Sequence, residues 1–182
     1  SHDLRSPLSR MQMTLGVLAE QSPSPTIARL EGYVAEMDSL IGAQLAFARA
    51  RKREESQDTD IDALLAERAA AASSIAPGEV RLRAGGGPCR ARVAPLPLRR
   101  IVDNLVENAL GHGPTGPVDV VRRRCGGVLF VGVRDRGPGI PPELREAVFQ
   151  PFFRAEPSRS RATGGSGLGL AIARQLAETH GW

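Results

Sequence analysis

Lysine is almost absent from this chain, because Lys52 is the only lysine among its 24 basic residues. A phosphate-binding P-loop and a protein-kinase site each need a lysine beside the phosphates. Lys52 follows no glycine-rich loop. The sequence therefore excludes both kinds of site.

Aromatic residues and cysteines are also scarce. Aromatics make up 4% of the chain, and the net charge of +4 is spread thinly, so a nucleic-acid partner is not expected. The two cysteines, Cys89 and Cys125, have neither CxxC spacing nor a histidine cluster beside them. We expect both to be packing residues rather than metal ligands or a redox pair.

Long apolar runs are missing as well. No run approaches the roughly 18 residues that a membrane span needs, so we expect no membrane contact by this chain. Its 182 residues, 41% hydrophobic and 24% charged, are typical of a soluble protein with one domain or two small ones. No signal peptide opens the sequence, which starts inside a predicted helix and is expected to be a piece of a longer protein.

Two amphipathic helices open the sequence, separated by the proline-containing segment 21–25. Thr26 is the predicted cap of the second helix. Since one helical hairpin leaves its apolar stripe with little to pack against, we predict a homodimer in which two hairpins form a four-helix bundle. Packing of the hairpin onto the rest of the chain is the alternative. The stripe residues are Leu8, Met11, Leu15, Leu18, Ile27, Leu30, Val34, Met37, Ile41, Leu45 and Ala48.

From Gln57 onward the pattern changes to mixed α/β, which predicts an α+β protein whose second part is a two-layer α/β sandwich. Thr59 or Asp60 is the expected cap of the first helix in this part. The predicted helices cover 61–74, 97–111, 142–148 and 167–179, and the predicted strands cover 79–83, 89–93, 118–123 and 128–135.

The first group of chemically interesting residues is His2, Asp3 and Ser6. On a helix His2 and Ser6 lie one turn apart on the same face. A neutral imidazole is a good nucleophile toward phosphorus, and a neighbouring carboxylate is able to hold the second ring N–H. An exposed His-Asp surface pair is the alternative interpretation.

The second group is Asn104 and Asn108, again one helical turn apart. Their amide oxygens suit a hard cation such as Mg²⁺, and their N–H groups suit phosphate oxygens. Glu107 lies off this face, and its role as a base stays open.

The third group follows an apolar strand. Asp135 is placed to accept the exocyclic amine of adenine, and Gly137 and Gly139 let the backbone approach a flat ring closely. A simple Pro-Gly turn is the alternative.

The fourth group opens the last helix. The backbone N–H groups of Gly165, Gly167 and Gly169, together with the helix dipole, predict an anion site. The arginines upstream, including Arg154 and Arg159, are expected to clamp a triphosphate as a flexible lid over 154–166. A glycine-rich linker is the alternative.

In this order the four groups resemble the conserved boxes of the sensor histidine kinases of two-component signalling, with the osmosensor-like class the most similar. Residues 1–8 resemble the phosphoacceptor box, 104–112 the N box, 135–140 the G1 box, 149–154 the F box and 165–170 the G2 box.

The resemblance implies a dimerisation and histidine phosphotransfer domain over 1–54 and a catalytic domain of the Bergerat ATP-binding type over 55–182. It implies that His2 takes the γ-phosphoryl of ATP with help from Asp3, and that a receiver-domain aspartate of a response regulator then takes it from His2. Ser6 stands where the family often has a residue for phosphatase activity. Asn108 would hold Mg²⁺. The implied nucleotide-binding residues are Asn104, Asn108, Asp135, Gly137, Gly139, Arg154, Arg159, Gly165, Gly167, Leu168 and Gly169.

The chain departs from the family pattern at both ends. The family has helical turns, a sensor and membrane segments before the acceptor box, so a membrane-anchored parent is expected, with this part on the cytoplasmic side of the inner membrane. The family also continues beyond Trp182, so the catalytic sheet is expected to be truncated. Two other functions stay open: a related ATPase of the same fold in which Glu107 activates water and no histidine is phosphorylated, and a dimeric docking module with an inactive ATP site.

Overall fold

The computed structural model describes residues 2–75, 80–112, 116–154 and 166–182. The chain divides into two compact units, Ser1–Arg49 and Ala50–Trp182. The predicted domain boundary between residues 54 and 55 lies shortly after this division.

The first unit is a helical hairpin of α1 (His2–Gln21) and α2 (Pro25–Arg49). The predicted cap at Thr26 is wrong, because Ser24 Oγ accepts the backbone N–H groups of Thr26 and Ile27 at 3.2 and 3.3 Å. Pro25 occupies the first helical position, where a missing N–H costs little, so the residue before it becomes the cap.

Part of the predicted apolar stripe stays open to solvent. Leu8 and Val34 are buried. The exposed members of the stripe retain between 43% and 52% of their accessible surface, and they are Met11, Leu18, Leu30 and Met37. The single hairpin therefore leaves an apolar strip uncovered on both helices.

The second unit contains two small sheets. Strands β1 (Gln57–Asp60) and β3 (Arg90–Val93) pair antiparallel. Strand β4 (Val118–Cys125) pairs in parallel with β2 (Val80–Ala84) and antiparallel with β5 (Val128–Arg134). The two predicted strands at 79–83 and 89–93 therefore belong to different sheets.

Three helices accompany these sheets: α3 (Ile61–Ile75), α4 (Pro95–Gly111) and α5 (Gly169–His180). Asp60 is the cap of α3, since its Oδ1 accepts the N–H of Ala63 at 3.0 Å. Several element bounds differ from the sequence prediction. The predicted helix at 142–148 is two 3-10 turns, Pro142–Leu144 and Ala147–Phe149, and α5 starts two residues later than predicted, at Gly169.

The core of the second unit lies between the helices and one face of the β2-β4-β5 sheet. Cys89 is buried in this core, which confirms it as a packing residue. Cys125 is exposed beside the Gly126-Gly127 turn, so the packing prediction for it is wrong. The most deeply buried core residues are Ile61, Leu65, Val102, Val106, Val118 and Val120, each 2% exposed or less.

An ion pair with a buried arginine connects strand β4 to helix α3. The Arg122 side chain is 2% exposed and donates to both carboxylate oxygens of Asp62, at 2.8 to 3.0 Å. It also donates to the carbonyls of Gly85 and Gly87 at 2.7 Å each. Asp62 in turn accepts the N–H of Cys89 at 2.8 Å. Arg122 is therefore bonded to helix α3 and to the loop before β3, and this network satisfies the donors of a charge that would be costly to bury alone.

Candidate functional site

The first predicted group lies at the start of α1. His2 and Ser6 both belong to this helix, so the backbone places them one turn apart. The side chains of His2 and Asp3 lie outside the described residues. Ser6 is partly buried.

The two asparagines lie on α4, away from the side that fills the core. Val102, Val106 and Ala109 are the buried residues of this stretch, whereas Asn104 and Asn108 are partly buried. Asn104 Nδ2 donates to the carbonyl of Arg100 at 2.8 Å. This bond fixes the amide and leaves its Oδ1 directed at Gly169, where a Cβ atom would lie only 3.2 Å away. The amide face of α4 is therefore adjacent to the start of α5.

The Asp135 loop lies near the C-terminal end of α4. Asp135 Oδ1 accepts the N–H of Gly137 at 2.7 Å, which closes a tight turn and leaves the second carboxylate oxygen available. A Cβ atom on Gly137 would lie 2.9 Å from Asp135 Oδ1 and 3.8 Å from the carbonyl of His112. A side chain at 137 would push the Asp135 carboxylate out of this position, and the turn is close to the end of the helix that carries Asn108. Gly139 has a φ of +76°, which also favours glycine.

The glycine segment before α5 packs on the backbone of the F-box region. Gly167 has a φ of +69°, and its carbonyl accepts the N–H of Phe152 at 3.0 Å. A Cβ on Gly167 would lie 3.1 Å from backbone atoms of Phe152 and Phe153. Leu168 is fully buried and anchors the segment.

Most of the predicted lid lies outside the described residues. Arg154 is partly buried. Arg159 and Gly165 lie within 155–165, outside the described residues.

One acidic group near the asparagines is electrostatically unusual. The side chain of Glu107 is largely exposed, yet partial desolvation raises its pKa above the ordinary value, and the negative charge of Asp103 raises this pKa further. Carboxylates with raised pKa values occur both as general bases and as structural residues.

Three residues near this site were not singled out from the sequence. Arg136 contacts Asp119 and Pro117, as described below. Phe152 has a φ of +65°, which is unusual for a residue other than glycine. Arg174 donates to Glu146 at 3.1 Å and lies over the Phe149 ring at 5.6 Å, which joins α5 to the second 3-10 turn. Of these contacts, the sequence could have predicted only the ion pair of Arg174 with Glu178, because the two residues are four apart on a helix.

Two absences hold for the described part of the chain. It contains no cluster of three or more His, Cys, Asp or Glu side chains suited to a metal ion. None of its helices has both the length and the apolar character that crossing a membrane requires.

Residues 93–182 match the family described as histidine kinase-, DNA gyrase B-, and HSP90-like ATPase. This stretch contains the helix with both asparagines, the Asp135 turn and the glycine start of α5. The second unit therefore carries an ATPase domain of this family.

Over its whole length the chain belongs with the sensor histidine kinases. It is 37% identical to the sensor-like histidine kinase SenX3 of Mycobacterium tuberculosis (strain ATCC 25618 / H37Rv), in an alignment that covers 99% of this chain and 47% of SenX3. It is 31% identical to the sensor histidine kinase CpxA of Escherichia coli (strain K12), over 100% of this chain and 41% of CpxA. The chain thus spans less than half the length of these two relatives.

A solved structure shows the same fold. The crystal structure of full-length ShkA in complex with AMPPNP matches with a TM-score of 0.77 and 25% identity, over 99% of this chain and 40% of ShkA.

Proposed function

We propose that this chain is an ATP-dependent protein-histidine kinase that phosphorylates itself on His2 and passes the phosphoryl group to an aspartate of a response regulator. One structural observation carries the proposal: Asn104 touches the start of α5 at one end of the site, and the Asp135 turn approaches the end of α4 at the other. Relatives named as histidine kinases support it, as does the structural neighbour in complex with AMPPNP.

The nucleotide is proposed to lie along α4. The free oxygen of Asp135 accepts the adenine amine, and the glycines at 137 and 139 allow close approach of the ring. Backbone N–H groups of 165–169, with the dipole of α5, bind the phosphates, and Arg154 and Arg159 add positive charge.

A magnesium ion is proposed to be held by Asn108. A neutral amide oxygen is a suitable ligand for this hard cation, which keeps several waters and takes few protein ligands. The residues present fit such a site, because Asn108 lies one turn from Asn104 on the same helix. When bound, the ion would neutralise charge on the β- and γ-phosphates.

The proposed reaction has two transfers. An imidazole nitrogen of His2 attacks the γ-phosphorus, the new P–N bond forms, the P–O bond to the β-phosphate breaks and ADP leaves. Asp3 holds the other ring N–H and stabilises the positive charge on the ring. A carboxylate oxygen of the receiver aspartate then attacks the same phosphorus, and the P–N bond breaks to restore neutral His2. Ser6 is proposed to position a water that hydrolyses the regulator's acyl phosphate, which makes the enzyme bifunctional.

Two protein partners are proposed. A second copy of the chain covers the open stripe of the hairpin and completes a four-helix bundle. A response-regulator receiver domain docks beside His2 and along α1 near Thr14 and Val17, where Val17 is 48% exposed. By its resemblance to sensor histidine kinases, this part of the protein is proposed to work at the cytoplasmic face of the inner membrane.

The test is incubation of the chain with γ-labelled ATP and Mg²⁺. We expect an acid-labile, base-stable phosphoprotein that is lost in His2→Gln and in Asn108→Asp. Only two other histidines exist, His112 and His180. Label that persists in His2→Gln would move the acceptor to one of them and contradict the proposed role of His2.

A second candidate function is ATP hydrolysis without a phosphohistidine. The raised pKa of Glu107 favours it, because a carboxylate of this kind, one residue before Asn108 in the sequence, suits the activation of water. This function predicts release of inorganic phosphate that persists in His2→Gln and disappears in Glu107→Gln.

A further inference from the structure

Arg136 stands between Asp135 and Gly137 but makes its contacts on strand β4. Its Nη1 donates to the carbonyl of Pro117 at 2.7 Å, and its Nη2 lies 3.6 Å from Asp119 Oδ2. Its side chain also covers Gly116, where a Cβ would lie 3.2 Å from Arg136 Cδ.

Asp119 is an unusual anchor because its side chain is only 9% exposed. Its other oxygen, Oδ1, accepts the Nε–H of Arg83 from strand β2 at 3.3 Å. The carboxylate is thus shared by a strand residue and by the loop residue Arg136. The Asp119 carboxylate is sheltered from solvent, whereas the side chains of Arg83 and Arg136 stay 58% and 47% exposed.

Side chains along β5 point alternately to the two faces of the sheet, which explains why Arg136 lies on the same face as Asp119. Val133 pairs with Val120 and packs toward the core, whereas Arg134 pairs with Asp119 on the opposite face. Successive side chains of an extended chain point to opposite faces. Arg136 therefore follows Arg134 onto the face of Asp119, and Asp135 follows Val133 onto the face that the helices cover.

The last paired residues of β4 and β5 are Asp119 and Arg134. Beyond this pair the sheet no longer fixes the direction of the side chains. A change of alternation by one residue would turn Asp135 to the wrong face. The contacts of Arg136 with Asp119 and Pro117 keep the side chains of Asp135 and Arg136 on alternate faces, although both residues lie beyond the end of the strand.

We propose that Arg136 is a positioning residue that, held by Asp119 and the Pro117 carbonyl, keeps Asp135 directed at the adenine amine and so sets the preference for ATP over nucleotides without that amine. This inference rests on the proposed function, in which Asp135 reads adenine. Arg136 is proposed to act through Asp135 rather than by contact with the nucleotide.

The experiment compares ATP with inosine triphosphate, which carries an oxygen in place of the amine, by equilibrium binding to the whole chain. Arg136→Met keeps the aliphatic length but removes the ion pair and the hydrogen bond. We expect its affinity for ATP to fall about tenfold, which corresponds to about 1.4 kcal/mol, and its affinity for inosine triphosphate to stay within about twofold. In autophosphorylation, KM for ATP should rise while kcat at saturating ATP is retained.

The matched control is Arg134→Met. Arg134 is exposed on the same face two residues earlier, and it forms no ion pair with any residue that the structure describes. We expect its binding of both nucleotides to equal that of the unmodified chain. Asp119→Asn removes the same ion pair from the other side. It should also lower the preference for ATP over inosine triphosphate, and it replaces Arg136→Met in the test if that variant does not fold.

The outcomes separate this inference from the proposed function. Equal losses for both nucleotides in Arg136→Met, or an unchanged preference for ATP, would overturn the positioning role. Failure of the unmodified chain to bind ATP, or an unchanged preference in Asp135→Asn, would instead contradict the proposed nucleotide site.

Discussion

Gly169, the first residue of α5, lies directly against Asn104 of α4, so that a Cβ atom on Gly169 would be 3.2 Å from Asn104 Oδ1. Asn104 is also bonded to the carbonyl of Arg100 at 2.8 Å, and its amide has little freedom to move. Two motifs that are far apart in the sequence therefore meet at this contact. The lack of a side chain at 169 is what allows the helices to approach at this point.

Gly169→Ala should weaken nucleotide binding more than it changes stability. Alanine favours the helix, but its methyl group displaces the Asn104 amide by a few tenths of an ångström. We expect the affinity for ATP to fall about fivefold, equivalent to about 1 kcal/mol, in a titration with a non-hydrolysable analogue.

Gly111→Ala is the control for Gly169→Ala, since position 111 is helical and has nothing within 4 Å of its Cβ. It should keep the affinity for nucleotide and raise the free energy of unfolding by up to about 1 kcal/mol. Equal affinities in the two variants would show that the contact with Asn104 does not shape the site.

Gly167→Ala should be strongly destabilising. The residue has a φ of +69°, and its Cβ would lie 3.1 Å from backbone atoms that cannot rotate away. Left-handed strain and overpacking together should cost about 2–4 kcal/mol in urea unfolding. Gly86→Ala has a φ of +90° but open space around the Cβ, so it should cost only the strain of about 1–2 kcal/mol. If Gly167→Ala lowers the free energy of unfolding no more than Gly86→Ala does, the Phe152 backbone moves away to accommodate the methyl group.

Asp62→Asn tests the ion pair that connects strand β4 to helix α3. Without the carboxylate charge, the Arg122 guanidinium stays buried without a counter-ion, and the free energy of unfolding should fall by about 3–5 kcal/mol. Asp58→Asn is a matched control, because Asp58 also lies 2.8 Å from an arginine, Arg90, but both side chains are more than half exposed. It should cost about 1 kcal/mol or less. Similar costs for the two variants would contradict the importance of burial here.

Local patterns in the sequence predicted many elements because they depend on near neighbours. Apolar spacing gave helix 97–111, observed as Pro95–Gly111, and the Gly126-Gly127 pair gave the β4–β5 hairpin. Strand β1 was missed, because Gln57–Asp60 is polar at nearly every position and is a strand only through its pairing with β3. Its geometry is a property of the tertiary structure and not of its own residues.

In the candidate site, too, some features follow from the local sequence and others depend on tertiary packing. The spacing of Asn104 and Asn108 places them on one helix face, and this follows from helix geometry alone. The contact of Gly169 with Asn104 and the ion pair of Arg136 with Asp119 depend on how distant segments pack. No local pattern in a single sequence predicts which arginine meets which carboxylate, so these contacts could be read only from the structure.

Glu107→Gln should change the pH dependence of stability. The pKa of Glu107 is raised above its ordinary value of 4.5 by partial desolvation and by Asp103, so the folded chain binds this proton more tightly than the unfolded chain. The resulting stabilisation is fully present below about pH 4.5 and is lost as the pH rises through the higher folded pKa. The neutral glutamine avoids this loss.

Thermal unfolding of both proteins from pH 4 to pH 8 checks this expectation. Relative to the unmodified chain, Glu107→Gln should gain stability as the pH rises and lose this advantage in acid. Glu55→Gln, at an exposed glutamate, controls for the loss of one negative charge. A difference between Glu107→Gln and the unmodified chain that does not vary with pH would contradict the raised pKa.

Leu30→Glu should disrupt the proposed dimer of the hairpin. Leu30 belongs to the predicted stripe and is 44% exposed in the single chain, so a bundle would bury it and a carboxylate there would be desolvated. Light scattering should show dimers for the unmodified chain and monomers for Leu30→Glu. Met13→Glu is the control, since Met13 is 75% exposed on the same hairpin but lies outside the stripe, and it should remain dimeric. If both variants are monomers, the interface is not confined to the stripe. If both remain dimers, the stripe is not the dimer interface.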